Sequence, residues 1–334
     1  MPFYRFGPSI GVVICVLSVY AVAPAPGAAT ALAPGVVSVS GAVHPPEADL
    51  RVRLGGPGEP ITEIPLEDYV RGAVHTEVPL GGLPRDAAMR MAEVQSILAR
   101  TYAVANRHRH EGEGFDLCAT THCQVFHTAP SDNAGVENLI AEAVERTRGL
   151  VVVHEGDVVN ALFHADCGGA TSAAETVWGG HTPPYLRGVD DPYCQMPRSR
   201  PWSVTLGSTE AHEALNRDPN THVGSALHDI EVVERDTAGR AIRIRLDGER
   251  TTSVRGETFR TVLVRTLGAR AVRSTLLGIE QVGGEYVLSG TGFGHGVGVC
   301  QIGALAQARA GHDPADILSH YYPDTSVVPL RSVG

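Results

Sequence analysis

Ile64-Pro65-Leu66-Glu67-Asp68-Tyr69-Val70-Arg71-Gly72-Ala73-Val74-His75-Thr76-Glu77-Val78-Pro79 is the stretch from which the rest of the chain can be read. Leu66, Tyr69, Val70, Ala73 and Val74 recur at the three- and four-residue spacing of a single helix face. Pro65 suits the start of a helix, and Val78-Pro79 ends one, because a residue before proline is pushed out of the α region. The spacing predicts a helix over residues 66–77. The apolar face continues through position 77, whereas Glu67, Asp68, Arg71 and His75 lie on the other side. Glu77 is thus the carboxylate aimed toward the core. Burial raises a carboxyl pKa, and the negative end of the helix dipole also disfavours the anion. A carboxyl held protonated near neutral pH is what general acid catalysis requires. A local ion pair to Arg71 or Arg100 is the alternative that this pattern leaves open.

Outward from that helix, apolar periodicity predicts helices over 86–106 and 136–148, the second closed by Gly149. Residues 36–54 alternate weakly and read as short strands within an N-terminal segment, 34–60. Residues 112–130 are irregular and rich in Cys, His and Thr. A hairpin is expected over 150–163, turning at Glu155-Gly156-Asp157. Residues 166–201 form a long Gly/Pro loop, of a length that is usually functional. One short helix near 211–216 precedes strands at 230–235, 242–246 and 251–254. A glycine-rich loop at 290–298 leads to a helix over 302–310, capped by Gly311, and to a last helix opening at Asp313-Pro314. The pattern predicts an α+β fold: a single large domain with a groove over 61–330, helices carrying the acid and a β-rich second half, with 202–286 as a β-rich subdomain.

The composition excludes several function classes. All 27 basic residues are arginine, so no chemistry that needs lysine is available, including Schiff bases and the P-loop lysine. The net charge of −10, without basic blocks, argues against nucleic-acid binding. Residues 10–23 form an almost unbroken apolar run after a single early arginine, followed by small residues. This is the layout of a secretory signal over 1–31, or of an anchor if left uncleaved. The expected location is secreted, periplasmic or cell-wall associated. Beyond that segment lie Cys118, Cys123, Cys167, Cys194 and Cys300, an odd number in a chain too large to need a disulfide scaffold.

His108, His110, Cys118, His122 and Cys123 fall close together. Their spacing suits zinc, with a Cys118–Cys123 disulfide as the alternative. In Gly290-Thr291-Gly292-Phe293-Gly294-His295-Gly296 no dinucleotide fingerprint fits. The glycines let the backbone turn tightly around His295, which is either a groove residue or a buried histidine bonded to backbone. Gln301 follows closely. No nucleophile elbow is evident.

Six stretches, in order, resemble the SpoIID/LytB family. They are 64–79; Gln95 through Arg100-Thr101-Tyr102-Ala103; Asp116-Leu117-Cys118 through His122-Cys123-Gln124-Val125; Gly168-Gly169 and Thr171 with Val177-Trp178; Gly294-His295-Gly296 with Gln301, Gly303 and Ala304; and Ile317-Leu318 with Tyr321-Tyr322-Pro323. The resemblance spans about 61–328. It implies a secreted or membrane-anchored lytic transglycosylase that cuts peptidoglycan glycan strands between N-acetylmuramic acid and N-acetylglucosamine, leaving 1,6-anhydro ends. It makes Glu77 the catalytic acid/base and, as in some members, makes Cys118 and Cys123 with one histidine, His110 by order with His108 close by, ligands of a structural zinc. Arg100, Tyr102, Gln124, Thr171, His295 and Gln301 are the expected substrate-binding residues. A glycosidase of the usual kind needs two carboxylates, whereas here the sugar's own 6-hydroxyl can attack. A non-catalytic glycan binder or amidase enhancer, acting with a cell-wall amidase, is the rival reading. Glu93-Val94 before Gln95 and cysteine at position 300 depart from the family's usual residues.

Overall fold

The computed structural model describes residues 49–127, 133–195, 200–268 and 270–333. The signal segment and the strand expected before residue 49 lie outside them. Chain order is β1 (Leu50–Arg53), β2 (Ile61–Ile64), α1 (Leu66–Glu77), α2 (Arg85–Ala105), β3 (Leu117–Cys118), α3 (Ala134–Arg146), β4 (Leu150–His154), β5 (Asp157–Val158), β6 (Phe163–His164) and α4 (Ala174–Trp178). It continues with β7 (Trp202–Gly207), α5 (Ser208–Asn216), β8 (Leu227–Arg235), β9 (Ala241–Gly248), β10 (Thr252–Arg255), α6 (Gly256–Leu267), β11 (Leu277–Val282), β12 (Glu285–Gly290), β13 (Val299–Cys300), α7 (Gln301–Ala310), α8 (Pro314–Tyr321) and β14 (Ser326–Pro329). The fold is α+β, as expected. No helix among the described residues is long and apolar enough to cross a membrane.

α2 is the axis of the molecule. It is buried on nearly every side, from Ala87 to Ala103. α1, α3, β4, α7 and α8 pack around it. Its few polar side chains are therefore forced to find partners inside. Ser96 and Thr101 donate back to the Ala92 and Ile97 carbonyls, and Thr101 Oγ1 accepts from the Val152 amide of β4. Arg100, fully buried, makes a two-pronged ion pair with Glu67 of α1 at 2.9 and 2.6 Å and donates to the Leu150 carbonyl at 3.1 Å. A planar guanidinium satisfied on three sides locks α1, α2 and β4 together.

Small sheets frame this helical core. β1 pairs antiparallel with β2 and parallel with β3, so Cys118 ends a strand anchored by a double contact of Arg51 to Asp116. β4 lies between β14 and β5, and β6 pairs in parallel with β13, with Cys300 opposite His164. The buried apolar residues form two clusters, one around α2 and one drawn from residues 202–288. The second holds two three-stranded sheets, β8–β9–β10 and β7–β12–β11, with α5 and α6.

The helices expected over 66–77, 86–106, 136–148 and 302–310 form within two residues of those bounds. The hairpin turns at Glu155 and Gly156, both with positive φ, but its second arm is only two residues because β4 finds a longer partner in β14. α6 was not expected. Its apolar positions Phe259, Val262 and Leu263 directly follow a strand, and threonines and β-branched residues run through it.

Candidate active site and metal centre

Glu77 is the last residue of α1, with Val78 extended as its cap. The amide N–H of Val125 donates to Glu77 Oε1 at 3.1 Å. Burial pushes the carboxyl up to about 7, and the Val125 hydrogen bond only partly offsets it. No ion pair to Arg71 or Arg100 forms: Arg100 is committed to Glu67. The Glu77 main-chain carbonyl, one of those left unpaired at a helix end, accepts from Gln301 Nε2 at 3.2 Å. The same nitrogen lies 3.4 Å from Gln95 Oε1. Residues 224 positions apart thus meet at the end of α1.

The segment carrying Val125 lies flat on α1. Phe126 stacks on Tyr69 at 5.0 Å, and a Cβ at Gly72 would overlap both the Phe126 ring and the His127 carbonyl. Gly72 is needed for this close approach. Gly72→Ala is expected to destabilise the fold by ~1–3 kcal/mol through overpacking and to reduce activity by displacing Val125. A denaturant melt unchanged from wild type would refute this.

Two residues before Val125 the same segment enters the Cys/His cluster. The ligand atoms of His110, Cys118, His122 and Cys123 all lie within 4.8 Å of one another. Cys118 and Cys123 are unbonded, with sulfurs 3.1 Å apart, and His110 Nε2 is 3.3 Å from Cys123 Sγ. His122 Nδ1 stands 3.7 and 3.6 Å from the two sulfurs. Tetrahedral zinc, with bonds of 2.0–2.3 Å, sets its ligand atoms roughly 3.3–3.8 Å apart, so this donor set fits zinc with modest adjustment. His110 Nδ1 is 2.7 Å from Glu113 Oε1, which leaves Nε2 facing the sulfurs. A carboxylate behind the imidazole is the usual support of a metal-bound histidine. The hydrogen bond between the two sulfurs pulls the Cys118 thiol down and pushes Cys123 up, so without a metal the pair shares one proton. His122 joins as a fourth donor beyond the three ligands expected from sequence. His108 turns away toward Asp116.

The other residues singled out from sequence divide into two groups. Gln301 reaches the Glu77 carbonyl, and Gln124 is the chain neighbour of Val125: it is buried, and its side-chain amide makes no hydrogen bond among the described residues. The buried Tyr69 hydroxyl and Gln95 Nε2 are unpaired in the same way. Tyr102 is buried near the cysteine pair, and burial drives its phenol upward. The rest are committed to the scaffold. Arg100 is held as described. Thr171 Oγ1 accepts from the Val189 amide at 2.8 Å. His295 Nδ1 accepts from the Val297 amide, while Nε2 donates to the Phe163 carbonyl at 3.0 Å. Packed near Trp178 and His164, His295 is pushed down to about 3 by burial, with Arg260 and Arg240 adding to it, so its imidazole is neutral. Gln95 and Tyr69 could have been picked out in the sequence as polar groups on helix faces otherwise apolar.

A half-buried acid closing a helix, steadied by the loop of an adjoining Cys/His centre, defines an α+β protein with a candidate acid/base site and a candidate metal site. Residues 57–154 match the family model described as stage II sporulation protein, and residues 198–298 match one described as a domain of unknown function. An uncharacterized protein of Brachyspira hyodysenteriae is 34% identical over 277 residues, covering 82% of this chain and 69% of that protein. Stage II sporulation protein D of Bacillus amyloliquefaciens is 28% identical, covering 80% of this chain and 75% of its own. The amidase enhancer of Bacillus subtilis is 26% identical, covering 73% of this chain but 39% of its own length. The chain belongs to the SpoIID family.

Proposed function

We propose that this protein is a secreted or cell-wall-associated lytic transglycosylase acting on peptidoglycan glycan strands, with Glu77 as its single acid/base. The observation that carries the reading is the Glu77 carboxyl at the end of α1, held at Oε1 by the Val125 amide at 3.1 Å and raised to about 7 by burial. A hydrolase would need a second carboxylate to activate water or form the glycosyl intermediate. One group suffices if it works twice. Protonated Glu77 gives its proton to the glycosidic oxygen as the bond from C1 of N-acetylmuramic acid breaks. The resulting carboxylate then takes the proton of the C6 hydroxyl as that oxygen bonds to C1, which closes the 1,6-anhydro ring and restores the acid. The Val125 amide holds Oε1, and Gln301 fixes the helix end by its bond to the Glu77 carbonyl. The unpaired side-chain amide of Gln124 and the unpaired Nε2 of Gln95 are groups suited to sugar hydroxyls and N-acetyl groups.

His110, Cys118, His122 and Cys123 would hold a zinc ion, whose contribution when bound is a cross-link that sets the path of residues 123–127. Cleavage of purified glycan strands should fall about tenfold per pH unit above pH 7, as the acid form is lost. A rate independent of pH between 6 and 9 would contradict the assignment. The amidase enhancer relative favours a second reading, in which the chain binds glycan and assists a cell-wall amidase. Strand binding without cleavage would support that reading.

A further inference from the structure

A second cluster of metal-ligating groups lies outside the site described above. The side-chain donors of Cys167, Asp191, Cys194 and Cys300 all fall within 4.8 Å of one another, and all four residues are buried. They come from three separate parts of the chain: the Gly-rich turn after β6, the short helical turn at 192–194, and the N-cap of α7. The Cys167 thiol donates to Asp191 Oδ2 at 3.3 Å. The Cys194 thiol donates to Asp166 Oδ1 at 3.2 Å.

We propose that Cys167, Asp191, Cys194 and Cys300 form a second structural zinc site, independent of the His110–Cys123 centre. Three observations converge on it. First, three sulfurs and one carboxylate oxygen make a four-donor set of the kind zinc takes in closed sites. A disulfide would use two of the sulfurs and leave the third and the carboxylate without a purpose.

Second, the sulfurs are already served as thiolates would be. The amides of Cys167 and Gly303 donate to Cys300 Sγ at 3.2 and 3.4 Å, and the Gly169 amide donates to Cys167 Sγ at 3.4 Å. Asp191 is aimed in the same manner: the amides of Tyr193 and Cys194 donate to its Oδ1 and the Tyr321 hydroxyl to its Oδ2 at 2.8 Å. Such outer bonds are what orient metal ligands.

Third, a charge that offsets part of the site's own is present. Three thiolates, a carboxylate and a dication sum to −2. The fully buried Arg240 lies beside them, donating from Nη2 to the Cys167 carbonyl at 2.7 Å, with Nε and Nη1 unpaired. It fits there because Gly296 has no side chain in its way. Loading the site replaces the thiol protons, so zinc binding releases three of them. Since Cys300 immediately precedes Gln301, the ion would fix the start of α7 and hence the amide that holds the end of α1.

The test is metal content of the full-length chain purified without chelator, by elemental analysis, with denaturing, non-reducing peptide mapping of the same sample. Two zinc per chain are expected, with Cys167, Cys194 and Cys300 all alkylated as free thiols after chelation. Cys194→Ser and Cys118→Ser should each leave one zinc, and the double variant none. Cys300→His, which keeps a ligand, should retain two. A wild-type chain with one zinc that Cys118→Ser removes would overturn the proposal. So would a Cys167–Cys194 disulfide, or iron in place of zinc. The wild-type count and thiol map decide the matter even if the variants fail to fold.

Discussion

Glu77→Gln is expected to abolish glycan-strand cleavage and, above neutral pH, to make the fold more stable than wild type. The first effect follows from loss of the proton donor, a contribution of about 10²–10⁴ in rate for general acid catalysis. The second follows from linkage. The carboxyl stands at about 7 in the folded protein against 4.5 for the free group, so between those values the folded state binds the more protons. The stability it confers is complete below pH 4.5 and is lost as pH rises through 7. The 2.5-unit gap corresponds to up to about 3 kcal/mol, at 1.36 kcal/mol per unit. Glutamine carries no charge and keeps an oxygen for the Val125 amide, so it escapes that loss. Denaturant melts at pH 4.5 and 8 should show wild type losing stability relative to Glu77→Gln. Parallel losses in both proteins would mean that Glu77 is not a buried acid.

Cys118→Ser is expected to remove the zinc of the His110–Cys123 centre and to lower the melting temperature, because binding energy at a structural site is folding energy. Glu113→Gln should weaken zinc affinity about 10–100-fold by releasing the imidazole of His110. The effect should reach the acid. With residues 123–127 unmoored, the Val125 amide no longer steadies the Glu77 anion. Its pKa then rises further, and the alkaline limb of the remaining activity moves above pH 7. A metal-free Cys118→Ser protein with the wild-type pH profile would separate the two sites and contradict their coupling.

Much of this was legible in the sequence, and what was not has physical reasons. α1 could be bounded at both ends because its stripe, its leading proline and Val78-Pro79 are all local signals. The placement of Glu77 at the core edge follows from the same spacing. His110, Cys118 and Cys123 lie close enough in sequence for their spacing to suggest a metal, but His122 joins them only because the turn at 119–123 folds its ring back over the sulfurs. The commitment of Arg100 to Glu67 depends on how two helices cross, and that of His295 to the Phe163 carbonyl on a contact across 132 residues. Cys167, Cys194 and Cys300 are scattered along the chain, and pairing of β6 with β13 is what brings the ends of that span together. No spacing rule reaches so far. β14 and α6 escaped notice because strand pairing and packing in the second cluster, rather than propensity, decide them.

On the proposed function, one acid, Glu77, cleaves glycan strands without water. Mass spectrometry of strands digested by the purified protein, with stem peptides present and removed, tests it most directly. Fragments ending in 1,6-anhydro-N-acetylmuramic acid are expected from wild type and none from Glu77→Gln. Fragments with reducing ends, one water heavier, or cleavage that survives the substitution, would contradict it.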